Sequence, residues 1–214
     1  MARAREADGV SAEQSWRAEP GTDVYGQMRE RVIEAAERYV ERHGLARVRI
    51  EEIAEEADCS RATIYRYFTD KDELIRQVLV RRSRRIAARL AKLVDVYDDP
   101  SDLLVQGIAR GIEEFRRDEY FESFYGPATA GTTARIAGGS TTLRVVVAEA
   151  LKPLFDLAEA TGRLREGVTR DEATEWVMLV TTALLTIPLP DVQSREEQEA
   201  FLRKFLVPAV LSPA

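Results

Sequence analysis

Arg61, Thr63, Tyr65, Arg66, Tyr67 and Lys71 crowd three kinds of hydrogen-bonding chemistry into a few consecutive turns of chain. Arginine forks and a lysine ammonium meet phosphates, hydroxyls meet phosphates or base edges, and tyrosine rings add apolar contact in a groove. Such a set suits grasping nucleic acid rather than breaking bonds. The parts of a reaction centre are missing: with one histidine, His43, and one cysteine, Cys59, neither a nucleophile triad nor a zinc site can be assembled. The acids are spread over helix faces instead of converging. The chain is therefore not expected to be an enzyme, and no metal or cofactor is expected.

Those residues need an element that presents them. From Ile50 to Asp72 the sequence reads IEEIAEEADCSRATIYRYFTDKD. Ile50, Ile53, Ala54 and Ala57 share one face of a short helix, with Glu51, Glu52, Glu55 and Glu56 toward water. Asp58 and Cys59 break the pattern, Asp tolerating left-handed backbone better than most residues, and Ser60 offers an oxygen to the free amides that open the next helix. That helix, Arg61 to Phe68, turns Ile64 and Phe68 inward and leaves Arg61, Ala62, Thr63, Tyr65, Arg66 and Tyr67 outward. Two helices joined by so tight a turn make a helix-turn-helix, whose second helix lies in the major groove. On that docking Arg61, Thr63 and Tyr65 reach base edges with Ala62 beside them, while Ser60, Tyr67 and Lys71 hold phosphates.

The run IAEEADCSRATIYRYFTDKDELI resembles the DNA-binding signature of the TetR family of bacterial repressors, in which Ile-Ala, a Gly-Val-Ser turn, Thr-hydrophobic-Tyr-x-Tyr-Phe and Lys-x-x-Leu recur. The resemblance extends from Tyr25 to Leu90. Asp58 stands where glycine is usual, Cys59 where valine is usual, and Arg49 where the family has a Ser or Thr cap. Arg49 removes that hydroxyl and sets a cation where the family's cap often touches phosphate. The resemblance implies an all-α fold with a three-helix DNA-binding head, a linking helix, and a helical body for effector binding and dimerisation.

Residues 1–24 carry Gly9, Pro20, Gly21 and mixed charge without a sustained apolar period, and read as a mobile arm. Arg3, Arg5 and Arg17 can reach a DNA backbone, but the acids among them favour a solvated tail. The head occupies 25–70, with a first helix from Gly26 to His43 that Gly44 ends; His43 is placed against the carbonyls of that helix end. A linking helix follows over 71–97, capped by Thr69 or Asp70. Its basic run, Arg81 to Arg85, is read as solvated or paired between domains rather than on DNA. Between Gly26 and Tyr97 stand 16 Lys and Arg against 13 Asp and Glu, while the remaining residues hold 15 against 24. One basic segment in a chain of net charge −6 suits contact with phosphates on a single face.

The body occupies 98–214. A helix over Ser101–Arg117 leads to the aromatic run YFESFY, a loop of small residues GPATAGTTARIAGGST, and a helix over Thr142–Ala160 that Pro153 kinks or divides. Two closing helices, Thr169 or Arg170 to Ile187 and Ser194 to Val210, each open with a capping box. Their apolar stripes are wide, which demands deep burial or a partner. The TetR resemblance implies that these last two helices pair with those of a second subunit. A homodimer is therefore expected, with Val177, Val180, Leu184, Phe201, Leu202 and Phe205 in its interface and two heads about 34–36 Å apart on a palindromic operator of double-stranded DNA.

Phe115, Phe121, Phe124, Tyr125, Trp176, Met178, Thr181 and Leu184 are the candidates to line a pocket for a lipophilic small-molecule effector. The ending, TIPLP and then FLRKFLVPAVL, is similar to regulators of fatty-acid, acyl-CoA or sterol metabolism. The alternative is a DNA-binding regulator whose body answers to a protein partner or to no effector. No run reaches the roughly 20 apolar residues that cross a bilayer and no secretory signal opens the chain, so a cytoplasmic protein without a membrane partner is expected.

Overall fold

The computed structural model describes residues 20–118, 120–138 and 140–213, with the side chains of residues 20–24 and of Phe121 outside the description. The fold is all-α; among the described residues the β pairing consists of one isolated bridge between Leu164 and Leu211. Helix α1 spans Pro20–His43, α2 Ile50–Glu56, α3 Arg61–Tyr67 and α4 Lys71–Leu90. They are followed by α5 (Pro100–Arg117), α6 (Phe121–Tyr125), α7 (Ala130–Gly138), α8 (Thr141–Ala160), α9 (Arg170–Thr186), α10 (Arg195–Phe201) and α11 (Val207–Val210).

The head forms because four amphipathic helices, two long and two short, each have one stripe to bury. Val32, Ala35, Ala36 and Val40 of α1, Ile53 of α2, Ile64 of α3, and Leu74 and Val78 of α4 meet in one buried cluster. A second core joins Leu104, Val105 and Ile112 of α5 to Phe155 and Ala158 of α8, Ala173 of α9, and Leu202 and Leu206 after α10. Phe124 of α6 and Ile136 of α7 belong to the body in sequence yet are buried in the head's core. Val80 of α4 packs with Ala137, Leu143 and Val146 in a third cluster that joins the two. The α4 helix is thus shared, its first half belonging to the head and its second to the body.

Four boundaries differ from the sequence reading. Helix α1 begins at Pro20, inside the stretch read as an arm, because a proline at the first helical position gives up an N–H that has no helical partner anyway. Residues 1–19, including Arg3, Arg5 and Arg17, lie outside the described residues. Helix α4 ends at Leu90 and tightens into a 3-10 stretch over Ala91–Asp95. The predicted loop of small residues contains α7: its glycines are poor helix formers, but Thr133, Ile136 and Ala137 are buried on one face and the Thr133 hydroxyl donates to the Phe124 carbonyl. Packing overrides propensity there. The last closing helix is split by a π-helical stretch, Leu202–Leu206. Pro208 has no N–H for the Lys204 carbonyl and its ring crowds that oxygen, so the backbone widens ahead of it. Pro153, in contrast, sits inside a continuous α8.

Candidate nucleic-acid interface

The turn between α2 and α3 is closed by its own backbone. Ala57 N–H donates to the Ile53 carbonyl at 2.9 Å and Cys59 N–H to the Ala54 carbonyl at 2.9 Å, with Asp58 between them at φ 50°. This is the left-handed residue that ends a helix, occupied here by Asp in place of glycine. Arg31 of α1 donates to the Ala57 carbonyl at 2.7 Å and so ties the turn to the head. Ser60 caps α3, accepting from Thr63 N–H at 3.0 Å, and its hydroxyl also meets that of Thr63 at 2.9 Å. Arg49 precedes α2 without a side-chain cap and pairs instead with Glu52 at 2.7 Å. Burial pushes the Cys59 thiol up, which leaves it a packing group.

With Ile64 and Phe68 buried, the rest of α3 faces out. Arg49, Ser60, Arg61, Ala62, Tyr65 and Lys71 are exposed, and Thr63 and Tyr67 are half-buried beside them. None of the eight sequence candidates for DNA contact is therefore buried. The Arg61 guanidinium lies over the Tyr65 ring, 5.4 Å from its centroid, and pairs with Glu51 at 2.8 Å. Tyr25 extends this surface, its ring centroid 4.3 Å from that of Tyr67. Sequence spacing carries no sign of Tyr25, because only the packing of α1 across α3 places it there.

The glutamates of α2 do not simply face water. Glu56 is held by Arg38 at 2.8 Å and by Arg42, and Glu52 accepts from the Tyr39 hydroxyl at 2.7 Å, a bond that lowers its pKa below the usual carboxylate range. Glu52 and Glu56 are thus engaged by α1 and by Arg49, and Glu51 by Arg61, which reduces the repulsion these three acids would offer a phosphate.

A family model described as bacterial regulatory proteins, tetR family, matches residues 32–78, from α1 into α4. An uncharacterized HTH-type transcriptional regulator of Mycobacterium bovis is 30% identical over 164 residues, which cover 76% of this chain and 81% of that one. The chain belongs to the TetR family. A similar regulator from Mycobacterium tuberculosis is 27% identical over 186 residues, 86% of each chain. Two solved structures share the TetR fold. The R. erythropolis repressor QsdR matches with a TM-score of 0.66 at 17% identity, over 90% of this chain and 98% of its own. RolR in complex with resorcinol matches at 0.64 and 21%, over 88% and 89%. This TetR-family chain is a DNA-binding transcriptional regulator and not an enzyme.

The TetR head is fastened to its body by the basic run of α4. Arg81 pairs with Glu30 at 2.8 Å and Glu34 at 3.0 Å, and Arg85 with Glu37 at 2.5 Å, all on α1. Arg82, buried, pairs with Glu37 at 3.1 Å and with Asp118 at the end of α5, and its guanidinium lies 3.3 Å from the centroid of the Tyr120 ring. Tyr120 in turn donates to Glu41 at 2.8 Å, and Arg135 of α7 pairs with Asp72 at 2.7 Å. The run thus turns inward, between domains.

Burial, and then the bond to Glu41, push the Tyr120 phenol up to about 12 from the usual 10. An unfolded tyrosine releases its proton near pH 10 while the folded one holds it, so its contribution is full below pH 10 and is lost as pH rises from 10 toward 12. Thermal melts across that window should show stability falling, and Tyr120→Phe should make the fall shallower; an unchanged slope would exclude Tyr120 as a source.

The TetR body holds an apolar cavity of about 270 Å³ between α4, α5, α8 and α9. Of the eight pocket candidates, Phe115 and Thr181 line it. Phe124 is buried in the head's core, Leu184 in the body's, Tyr125 packs against both, Met178 packs on the Val80 cluster, and Trp176 is exposed; the Phe121 side chain lies outside the description. Val177, named for the interface, lines the cavity instead. Aromatic spacing misleads because Phe124 fills the head's core, Tyr125 packs between the two cores and Trp176 faces outward. A better signal lies in Gly107 and Gly111, one turn apart on α5: both line the cavity, and a side chain at Gly107 would meet nothing within 4 Å. Of the other interface candidates, Leu184 and Leu202 are buried within the chain, Val180 and Phe201 are half-buried, and Phe205 is exposed. Among the described residues no cluster of His, Cys, Asp and Glu could hold a metal, and no helix is long and apolar enough to cross a membrane.

Proposed function

We propose that the chain is a cytoplasmic, homodimeric repressor that leaves a palindromic operator when a small lipophilic effector fills the cavity of its body. The observation that carries this reading is the double role of α4. Its second half, from Ser83 to Leu90, walls the cavity, its first half builds the head's core, and Arg81 and Arg85, in the half that reaches the cavity, ion-pair with α1. A ligand that prefers one position of α4 therefore biases the spacing of two heads, and linkage makes DNA and ligand oppose each other by the same factor. A nearly complete switch needs roughly a 10⁴-fold preference between the two states.

The dimer face of this proposal differs from the residues that spacing suggested. Trp176 and Leu179 of α9 and Ile187 just past its end are 43%, 59% and 53% exposed, and Phe205 beyond α10 is 55% exposed. So much apolar surface on neighbouring turns marks an association site. Leu179→Asp should convert a dimer to a monomer by light scattering and abolish tight operator binding while preserving the helical spectrum; a dimer that survives the substitution would move the interface elsewhere.

A selection of genomic fragments at physiological salt tests the whole reading. One enriched palindrome, released by a compound from the adjoining operon, is the expected result. Recovery without sequence preference would favour a body controlled by a protein partner.

A further inference from the structure

The chemistry of the cavity wall narrows what it takes. This step rests on the effector reading above. The lining is largely hydrocarbon, and among the described residues that form it none is Lys, Arg or His. Its polar side chains are the hydroxyls of Ser83 and Thr181 and the carboxylate of Glu149, which is exposed at the rim. Pro153 is also in the wall, inside α8, and has no N–H to give the Glu149 carbonyl four residues before it. The rim near Glu149 thus offers acceptors and one negative charge.

We infer that the ligand is a compact, uncharged alcohol or phenol, and that carboxylates, fatty acids and acyl thioesters of anionic carriers are excluded. A carboxylate entering this wall would lose its water, meet no cation, and approach Glu149. A hydroxyl would donate to the Glu149 oxygens or exchange bonds with Ser83 or Thr181. Size follows from proportion: an apolar cavity of about 150 Å³ holds benzene, so one of about 270 Å³ holds roughly eleven carbon-sized atoms. Gly107 sets that volume. It occupies the middle of α5, where glycine weakens a helix, and its missing side chain is open space in the wall.

The test uses two probes of equal chain length, 1-decanol and decanoate, titrated into the full-length protein by calorimetry below their aggregation limits. Decanol is expected to bind, decanoate at least 10-fold more weakly, and Glu149→Lys, a change at an exposed rim position, to reverse that order. Gly107→Leu should remove binding of both probes while leaving the helical spectrum intact. Decanoate binding as tightly as decanol to the native protein would overturn the ligand class and leave the effector site standing. Failure of both probes to bind would overturn the cavity as an effector site; binding that survives Gly107→Leu would place the ligand elsewhere.

Discussion

Tyr65→Ala should lower operator affinity at least ~30-fold with almost no change in stability. A groove contact of the kind its ring and hydroxyl can make is worth about 1–3 kcal/mol, and a dimer presents it twice, so about 2–6 kcal/mol is at stake. The side chain is 41% exposed and the Arg61 guanidinium lies over its ring, so folding loses little. Removing the ring leaves Arg61 with its Glu51 pair at 2.8 Å and without the aromatic face that its guanidinium lies over. Fluorescence anisotropy with the selected operator and with a scrambled duplex separates the two contributions. Affinity for the operator should fall toward that for the scrambled duplex, which phosphate contacts sustain. Full operator affinity in the variant at moderate salt would sink the docking of α3 proposed for this surface.

Glu37→Ala should cost about 3–5 kcal/mol of folding stability, a drop in thermal midpoint on the order of 10 °C. Glu37 is a single acid serving three cations: Arg82 at 3.1 Å, Arg85 at 2.5 Å and Arg81 at 3.4 Å. Its side chain is 7% exposed and that of Arg82 is 9% exposed, so the loss leaves a buried guanidinium facing two others. Asp118 then remains as an acid partner of Arg82, at the end of α5 rather than on α1. The fastening between head and body is therefore redistributed as well as weakened. Urea denaturation measures the first effect, and a change in how strongly effector opposes operator binding measures the second. A loss below 1 kcal/mol would show that the arginines escape to water and that the cluster holds nothing in place.

The short-range parts of this protein are legible in the order of its residues. Ser60, Asp70, Thr169 and Ser194 each accept from the backbone N–H three residues on, as their residue types and spacing require. Asp58 takes the positive φ that a helix end beside Cys59 demands, and Ile64 and Phe68 are buried as a three-to-four spacing requires. The pairing of Arg81, Arg82 and Arg85 is open to two readings at that level, since a basic run on α4 looks the same in sequence whether it meets water or the acids of α1. The glycine-rich segment ahead of α8 misleads for the opposite reason: propensity is local, and α7 exists because Ile136 finds a core made by helices distant in the chain while Thr133 bonds the Phe124 carbonyl of α6.

Helix α3, its cap, the turn before it and the outward set from Arg61 to Tyr67 follow from the amino-acid order alone, because hydrogen bonds within a few residues and the 3.6-residue period decide them. Long-range packing is what sets Tyr25 against Tyr67, seats Phe124 in the head rather than the pocket, opens the cavity at Gly107, and gives each arginine its acid. Those outcomes depend on which faces of distant helices come together, and a side chain's neighbours across such a contact leave no periodic trace in its own segment.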